Sequence, residues 1–158
     1  MGQDPEYFLR QAIQLAVNNV RQRGGGPFGA LVVKNGRVIS TGVNSVTTTN
    51  DPTAHAEVVA IRAACQALQS FQLEGCEIYT SCEPCPMCLG AIYWSRASRF
   101  YFASNRDDAA RASFDDALIY DELGLAPQVR SIPGYRLLAV EGLGPFVEWA
   151  QSQNNVTY

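Results

Sequence analysis

Thr80-Ser81-Cys82-Glu83-Pro84-Cys85-Pro86-Met87-Cys88, read together with Thr53-Ala54-His55-Ala56-Glu57 upstream, is the pair of segments around which the chain is organised. The two hold the only histidine, three of the five cysteines and a carboxylate two positions after the histidine. After Ala56, the apolar residues Val59, Ala60, Ala63, Ala64, Ala67 and Leu68 repeat at helical spacing, so a helix runs from 53 or 54 to 69 with His55 and Glu57 in its first turn. A short strand over 77–81 leads into the cysteine cluster. Pro84 and Pro86 fit only the first turn of the helix that follows, which runs to 95. Cys85 and Cys88 then stand at i and i+3 on one face of a helix N-terminus, where free N–H groups and the positive end of the dipole favour thiolates.

Outward from these segments, Asp4-Pro5 caps an amphipathic helix that ends near Gly24-Gly25-Gly26. Extended runs over 30–33 and 38–41 flank Asn35-Gly36, a hairpin turn signal. Residues 47–52 read as a polar loop, 99–103 as a strand, 114–123 as a helix, 135–140 as a last strand and 145–153 as a closing helix. Strands alternating with helices predict an α/β domain whose mixed sheet is covered on both faces, partly antiparallel because of the hairpin. On pattern alone, Phe28 reads as a core aromatic and Asn44 as a turn residue. Met87 and Trp94 read as core of the third helix, and Arg62, Arg96, Arg99 and Arg106 as surface or interface charges.

Composition narrows the function. At 158 residues the chain fits one domain, 1–158, and 47% hydrophobic against 17% charged residues argues against disorder. A net charge of −3, with Lys34 the only lysine, argues against a nucleic-acid surface and for a small or neutral ligand. No apolar run reaches the roughly 18 residues that a membrane span needs. A soluble cytoplasmic protein is expected, with its odd number of cysteines kept as thiols.

Three readings of the cluster compete. A redox Cys-x-x-Cys leaves the histidine and its neighbouring Glu unexplained. A closed Cys3His zinc site would use Cys82, Cys85, Cys88 and His55 and catalyse nothing. An open zinc site would use His55, Cys85 and Cys88 alone, leaving a position for water beside Glu57. Cys82 precedes Glu83-Pro84 and would have to curl back across a proline to join the others, which favours the open site.

His-x-Glu followed by Pro-Cys-x-x-Cys is the zinc deaminase signature, here His55-Ala56-Glu57 and Pro84-Cys85-Pro86-Met87-Cys88. On these residues the sequence resembles the cytidine deaminase-like superfamily. Gly26-Pro27-Phe28-Gly29-Ala30, the region of Asn44, Asn50 to Glu57, Thr80 to Trp94, Phe114-Asp115-Asp116 and the closing Tyr158 are similar to its guanine-deaminating bacterial members.

The resemblance implies a three-layer α/β/α fold around a five-stranded mixed sheet, with Zn2+ on His55, Cys85 and Cys88. It implies Glu57 as proton carrier and Asp116 as a second acid-base group in hydrolysis of guanine to xanthine and ammonia. Phe28, Asn44, the Ala56 backbone N–H, Asp116 and Tyr158 would contact the purine. A homodimer that exchanges its C-terminal segments, 143–158, would bring Tyr158 over a partner's site. Deamination of guanosine, cytosine, an aminotriazine or tRNA adenosine uses the same zinc chemistry and remains open, as does a non-catalytic structural zinc domain.

Overall fold

A computed structural model describes residues 4–158 and divides the chain into two compact units, one ending at Asp116 and the other spanning Ala117–Tyr158. In the first unit, helix α1 (Pro5–Arg21) starts where the Asp4 carboxylate accepts from the Glu6 N–H at 3.1 Å, with Pro5 in the first turn. Strands β1 (Gly29–Lys34) and β2 (Arg37–Val43) form the expected hairpin. Asn35 and Gly36 both take positive φ, 51° and 73°, the type I′ geometry that matches the twist of the strands it joins.

Where a polar loop was expected, residues Val46–Thr49 form one helical turn, α2, closed by Asn50 in the left-handed conformation. Helix α3 (Ala56–Leu68), strand β3 (Cys76–Cys82), helix α4 (Pro86–Trp94), strand β4 (Arg99–Ser104) and helix α5 (Arg106–Arg111) follow. The sheet order is β2-β1-β3-β4, antiparallel except for the β3/β4 pair.

Alternation along the central strands sorts two cores. Ala30, Val32 and Ile78 pack with Ala60 and Ala64 of α3 and Ile92 of α4, while Leu31, Val33 and Tyr79 pack with Phe8 and Ala12 of α1. The result is the expected layering of helix, mixed sheet and helix. Gly42 lets α3 approach β2 closely, since a Cβ there would lie 2.2 Å from the Ala56 carbonyl oxygen. That contact fixes the start of α3, where His55 and Glu57 stand.

Among the described residues the sheet has four strands, not five. Residues 135–140 form no strand, because Leu138 adopts φ 51° and its carbonyl closes a turn with the Gly142 N–H, breaking the extended run. Trp94 is 61% exposed and Met87 also faces outward, contrary to the core expectation. Helix α4 is apolar all round, and only Cys88 and Ile92 are buried. The second unit contains α6 (Ala117–Leu123) and α7 (Gly144–Gln151), and none of its residues is buried. No helix among the described residues is long and apolar enough to cross a membrane.

Candidate active site

The two sequence segments converge at the N-termini of α3 and α4. His55 is the N-cap of α3 and Cys85 the N-cap of α4, so His55 stands just ahead of the helix and not within its first turn. Each gives its carbonyl to the first helical hydrogen bond, from Val59 and Leu89, and neither spends its side chain on capping. Both side chains are therefore free to point at a common centre. Cys88 joins them from one turn further along α4, fully buried.

His55 Nδ1 lies 3.6 Å from Cys85 Sγ and 3.5 Å from Cys88 Sγ. Tetrahedral zinc with Zn–S and Zn–N bonds of about 2.3 and 2.0 Å places sulfur and nitrogen about 3.5 Å apart, so the spacing fits the ion. Among the described residues this is the one His/Cys/carboxylate group close enough to hold a metal. Cys82 is outside it. Its thiol points to the Asn105 carbonyl at 3.6 Å, and burial pushes its pKa up to about 11, which keeps it protonated. The closed four-ligand reading loses its fourth ligand here.

Hydrogen bonding from Cys88, with a further contribution from His55, lowers the Cys85 pKa to about 4 and holds it as a thiolate, the ligand form. The Cys88 thiol is pushed up by its bond to Cys85 and by burial, and the His55 imidazole is pushed up by its bond to Cys85. Metal binding would displace these protons, so affinity should fall in acid.

Glu57 is 6% exposed and reaches the same centre from the first turn of α3. Its Oε2 accepts from Cys88 Sγ at 3.4 Å and its Oε1 from Thr80 Oγ1 at 3.3 Å. Burial is the main force on its pKa and raises it, so the carboxyl holds a proton more readily than an exposed glutamate. A carboxyl shifted in this direction is better suited to both taking and returning a proton than an exposed glutamate.

A cavity of about 510 Å³ opens beside His55, Glu57 and Cys85, within the usual range for small-molecule sites. Phe28 forms one wall, its ring meeting Phe114 edge-on at 5.0 Å. Asn44 lines another. Its Oδ1 accepts from the Gly26 N–H at 3.2 Å and the Val46 N–H at 3.4 Å, which fixes the amide flip and leaves Nδ2 as its remaining donor. Asp116 also lines the cavity, with its pKa raised first by desolvation and then by the Cys85 charge.

Seven of the residues selected from sequence thus meet here: His55, Cys85, Cys88, Glu57, Phe28, Asn44 and Asp116. Ala56 does not line the cavity, although its N–H, at the first helical position, has no intrahelical acceptor. Tyr158 ends the second unit and is 68% exposed. Arg106, read as a surface or interface charge, lines the cavity. Sequence reading also passes over Arg23, which lines the cavity, Thr80, which donates to Glu57, and Asn19, which donates to the Asn44 carbonyl. The signal for Asn19 was available: with Phe8, Ala12 and Ala16 it occupies the buried stripe of α1, where a polar residue needs a reason.

Comparison with known proteins gives a consistent picture. The sequence profile of the family described as cytidine and deoxycytidylate deaminase zinc-binding region matches residues 2–104. The guanine deaminase of Bacillus subtilis is 52% identical over 97% of this chain and 98% of its own length. The X-ray structure of guanine deaminase from Bacillus subtilis superposes with a TM-score of 0.96, covering 99% of both chains at 51% identity. The tRNA-specific adenosine deaminase of Aquifex aeolicus is 46% identical over only 63% of this chain and 65% of its own.

Proposed function

This chain belongs to the cytidine and deoxycytidylate deaminase zinc-binding family, and from that premise we propose that it hydrolyses guanine to xanthine and ammonia. One observation carries the substrate: similarity to a guanine deaminase runs through 97% of the chain, including most of the segment after Asp116, whereas the tRNA deaminase relative matches 63%. The zinc segments are common to both groups and do not choose between them. The acidic balance of the chain also disfavours a tRNA substrate.

His55, Cys85 and Cys88 would hold the zinc. When bound, the ion supplies Lewis-acid activation of water at neutral pH. Glu57 takes a proton from the attacking water and passes it to the adjacent ring nitrogen. A C–O bond forms at C2 of guanine and the exocyclic C–N bond breaks, with ammonia leaving. Protonation of that amine falls to Glu57 or to Asp116, whose raised pKa suits the task. Phe28 stacks on the purine, Asn44 donates its amide N–H to a ring acceptor, and the Ala56 N–H adds a hydrogen bond. A panel of free bases and nucleosides tests the substrate: guanine should be turned over, with guanosine and cytosine disfavoured by about 10⁴ or more. Preference for guanosine would overturn it.

The working form in this reading is a cytoplasmic homodimer of single-domain chains that exchange residues 143–158 and place Tyr158 over the partner subunit's cavity. Supporting it, Phe146 and Tyr158 are more than two-thirds exposed and Leu143, Val147 and Val156 more than half, in a unit without one buried residue. Such a segment cannot stabilise itself and needs a second surface. Deleting 143–158 should leave zinc binding intact and depress guanine turnover by about 10²-fold through lost positioning and water exclusion. Full activity in the truncated protein, or in a monomer, would remove the exchange from the account.

A further inference from the structure

We infer that Asn19, near the C-terminal end of α1, is a positioning residue for purine recognition, because it ties the glycine turn that carries Phe28 to the backbone of Asn44. The inference rests on the guanine-binding reading above.

Asn19 is 5% exposed and spends both amide hydrogens on the tie. Its Nδ2 donates to the Gly26 carbonyl at 2.9 Å and to the Asn44 carbonyl at 2.8 Å. Its own carbonyl accepts from the Gly24 N–H at 2.8 Å. The loop closes on itself through Asn44, whose backbone N–H donates to the Phe28 carbonyl at 3.1 Å and whose Oδ1 accepts from the Gly26 N–H at 3.2 Å. Two cavity walls, one from the turn before β1 and one from the end of β2, are therefore joined through a single side chain on α1.

The glycines make that closure possible. A Cβ on Gly24 would lie 2.2 Å from Asn19 Oδ1, and one on Gly25 would lie 2.2 Å from the Asn44 carbonyl oxygen, at a φ of 149°. With the turn drawn in this way, Asn44 Oδ1 is committed to backbone donors, and the cavity receives the amide as a hydrogen-bond donor only. Removing the Asn19 amide leaves the buried Asn44 carbonyl without its donor, leaves the Gly26 carbonyl with the Phe28 N–H alone, and frees the turn from Asn44. The hydrogen bonds of the tie run among Asn19, Gly24, Gly26, Phe28 and Asn44, away from the ligands His55, Cys85 and Cys88, so the loss should fall on base binding and spare the metal.

The test uses the zinc-loaded full-length protein and three variants: Asn19→Ala, Gly24→Ala and Ser95→Ala. The last is a control, a buried hydroxyl that donates to the Ile92 carbonyl at 2.8 Å and does not line the cavity. Zinc content, thermal midpoint, and KM and kcat on guanine are measured for each. Asn19→Ala and Gly24→Ala should raise KM about tenfold with kcat changed less than about threefold and zinc unchanged, while Ser95→Ala lowers the thermal midpoint without moving KM. A wild-type KM in Asn19→Ala, or an equal KM rise in Ser95→Ala, overturns the positioning role. Should Asn19→Ala not fold, Gly24→Ala decides alone on the same criterion. Failure of the substrate reading shows separately, as a wild-type arm with zinc bound and no guanine turnover, and takes this inference with it.

Discussion

Glu57→Gln is expected to lower guanine turnover by at least about 10³-fold while leaving zinc at one ion per chain, since general acid-base groups supply about 10² to 10⁴ and Glu57 serves more than one proton transfer. The geometry explains the separation of the two readouts. Glu57 stands beside the metal ligands but is not one of them, and its Oε1 accepts from Thr80 Oγ1 at 3.3 Å. Glutamine keeps the shape and an oxygen acceptor for Thr80, so packing should survive. What it loses is the ability to take a proton. Kinetics on guanine with metal analysis of the same preparation checks this; near-normal turnover in a zinc-replete Glu57→Gln protein would remove Glu57 as the proton carrier.

Cys88→Ser should produce the second large effect: zinc occupancy falling below about a tenth of wild type, loss of activity and a lower thermal midpoint. Cys88 is fully buried between α4 and the centre, 3.5 Å from His55 Nδ1. A serine hydroxyl there is a poor zinc ligand. Cys82→Ser is the informative contrast, because its thiol is protonated and turned to the Asn105 carbonyl. That variant should retain zinc and most of the activity. If Cys82→Ser stripped the metal as Cys88→Ser does, the site would be a closed Cys3His centre and the catalytic reading would fall.

The metal centre was the most legible part of the sequence, and the reason is local. Pro84 and Pro86 cannot sit inside a helix, so they fix where α4 begins, and with it the shared face of Cys85 and Cys88. Periodicity puts His55 one step too deep because it marks α3 but not its cap, and neither His55 nor Cys85 caps with its side chain. Residues 135–140 have strand-like composition, yet a strand needs a partner edge and an extended backbone, and Leu138 at φ 51° denies the second.

Trp94 has the composition of a core residue yet is exposed, because apolar character around the whole of α4 does not say which face meets the sheet. Thr80 and Asn19 lay beyond pattern reading altogether. The Thr80 contact to Glu57 crosses from β3 to α3, and the reach of Asn19 to Gly26 and Asn44 depends on how α1 packs against the β1 and β2 ends. Such long-range polar ties leave only a faint mark in a sequence, a polar residue on an otherwise buried stripe.

The central claim is that the zinc held by His55, Cys85 and Cys88, with Glu57 beside it, deaminates guanine. Its most direct test is the reaction of zinc-loaded wild-type protein with guanine, following purine absorbance and ammonia together. Xanthine and ammonia should appear in a one-to-one ratio, and turnover should disappear on chelation and return with added zinc. Folded protein with one zinc per chain that released no ammonia from guanine would contradict the claim.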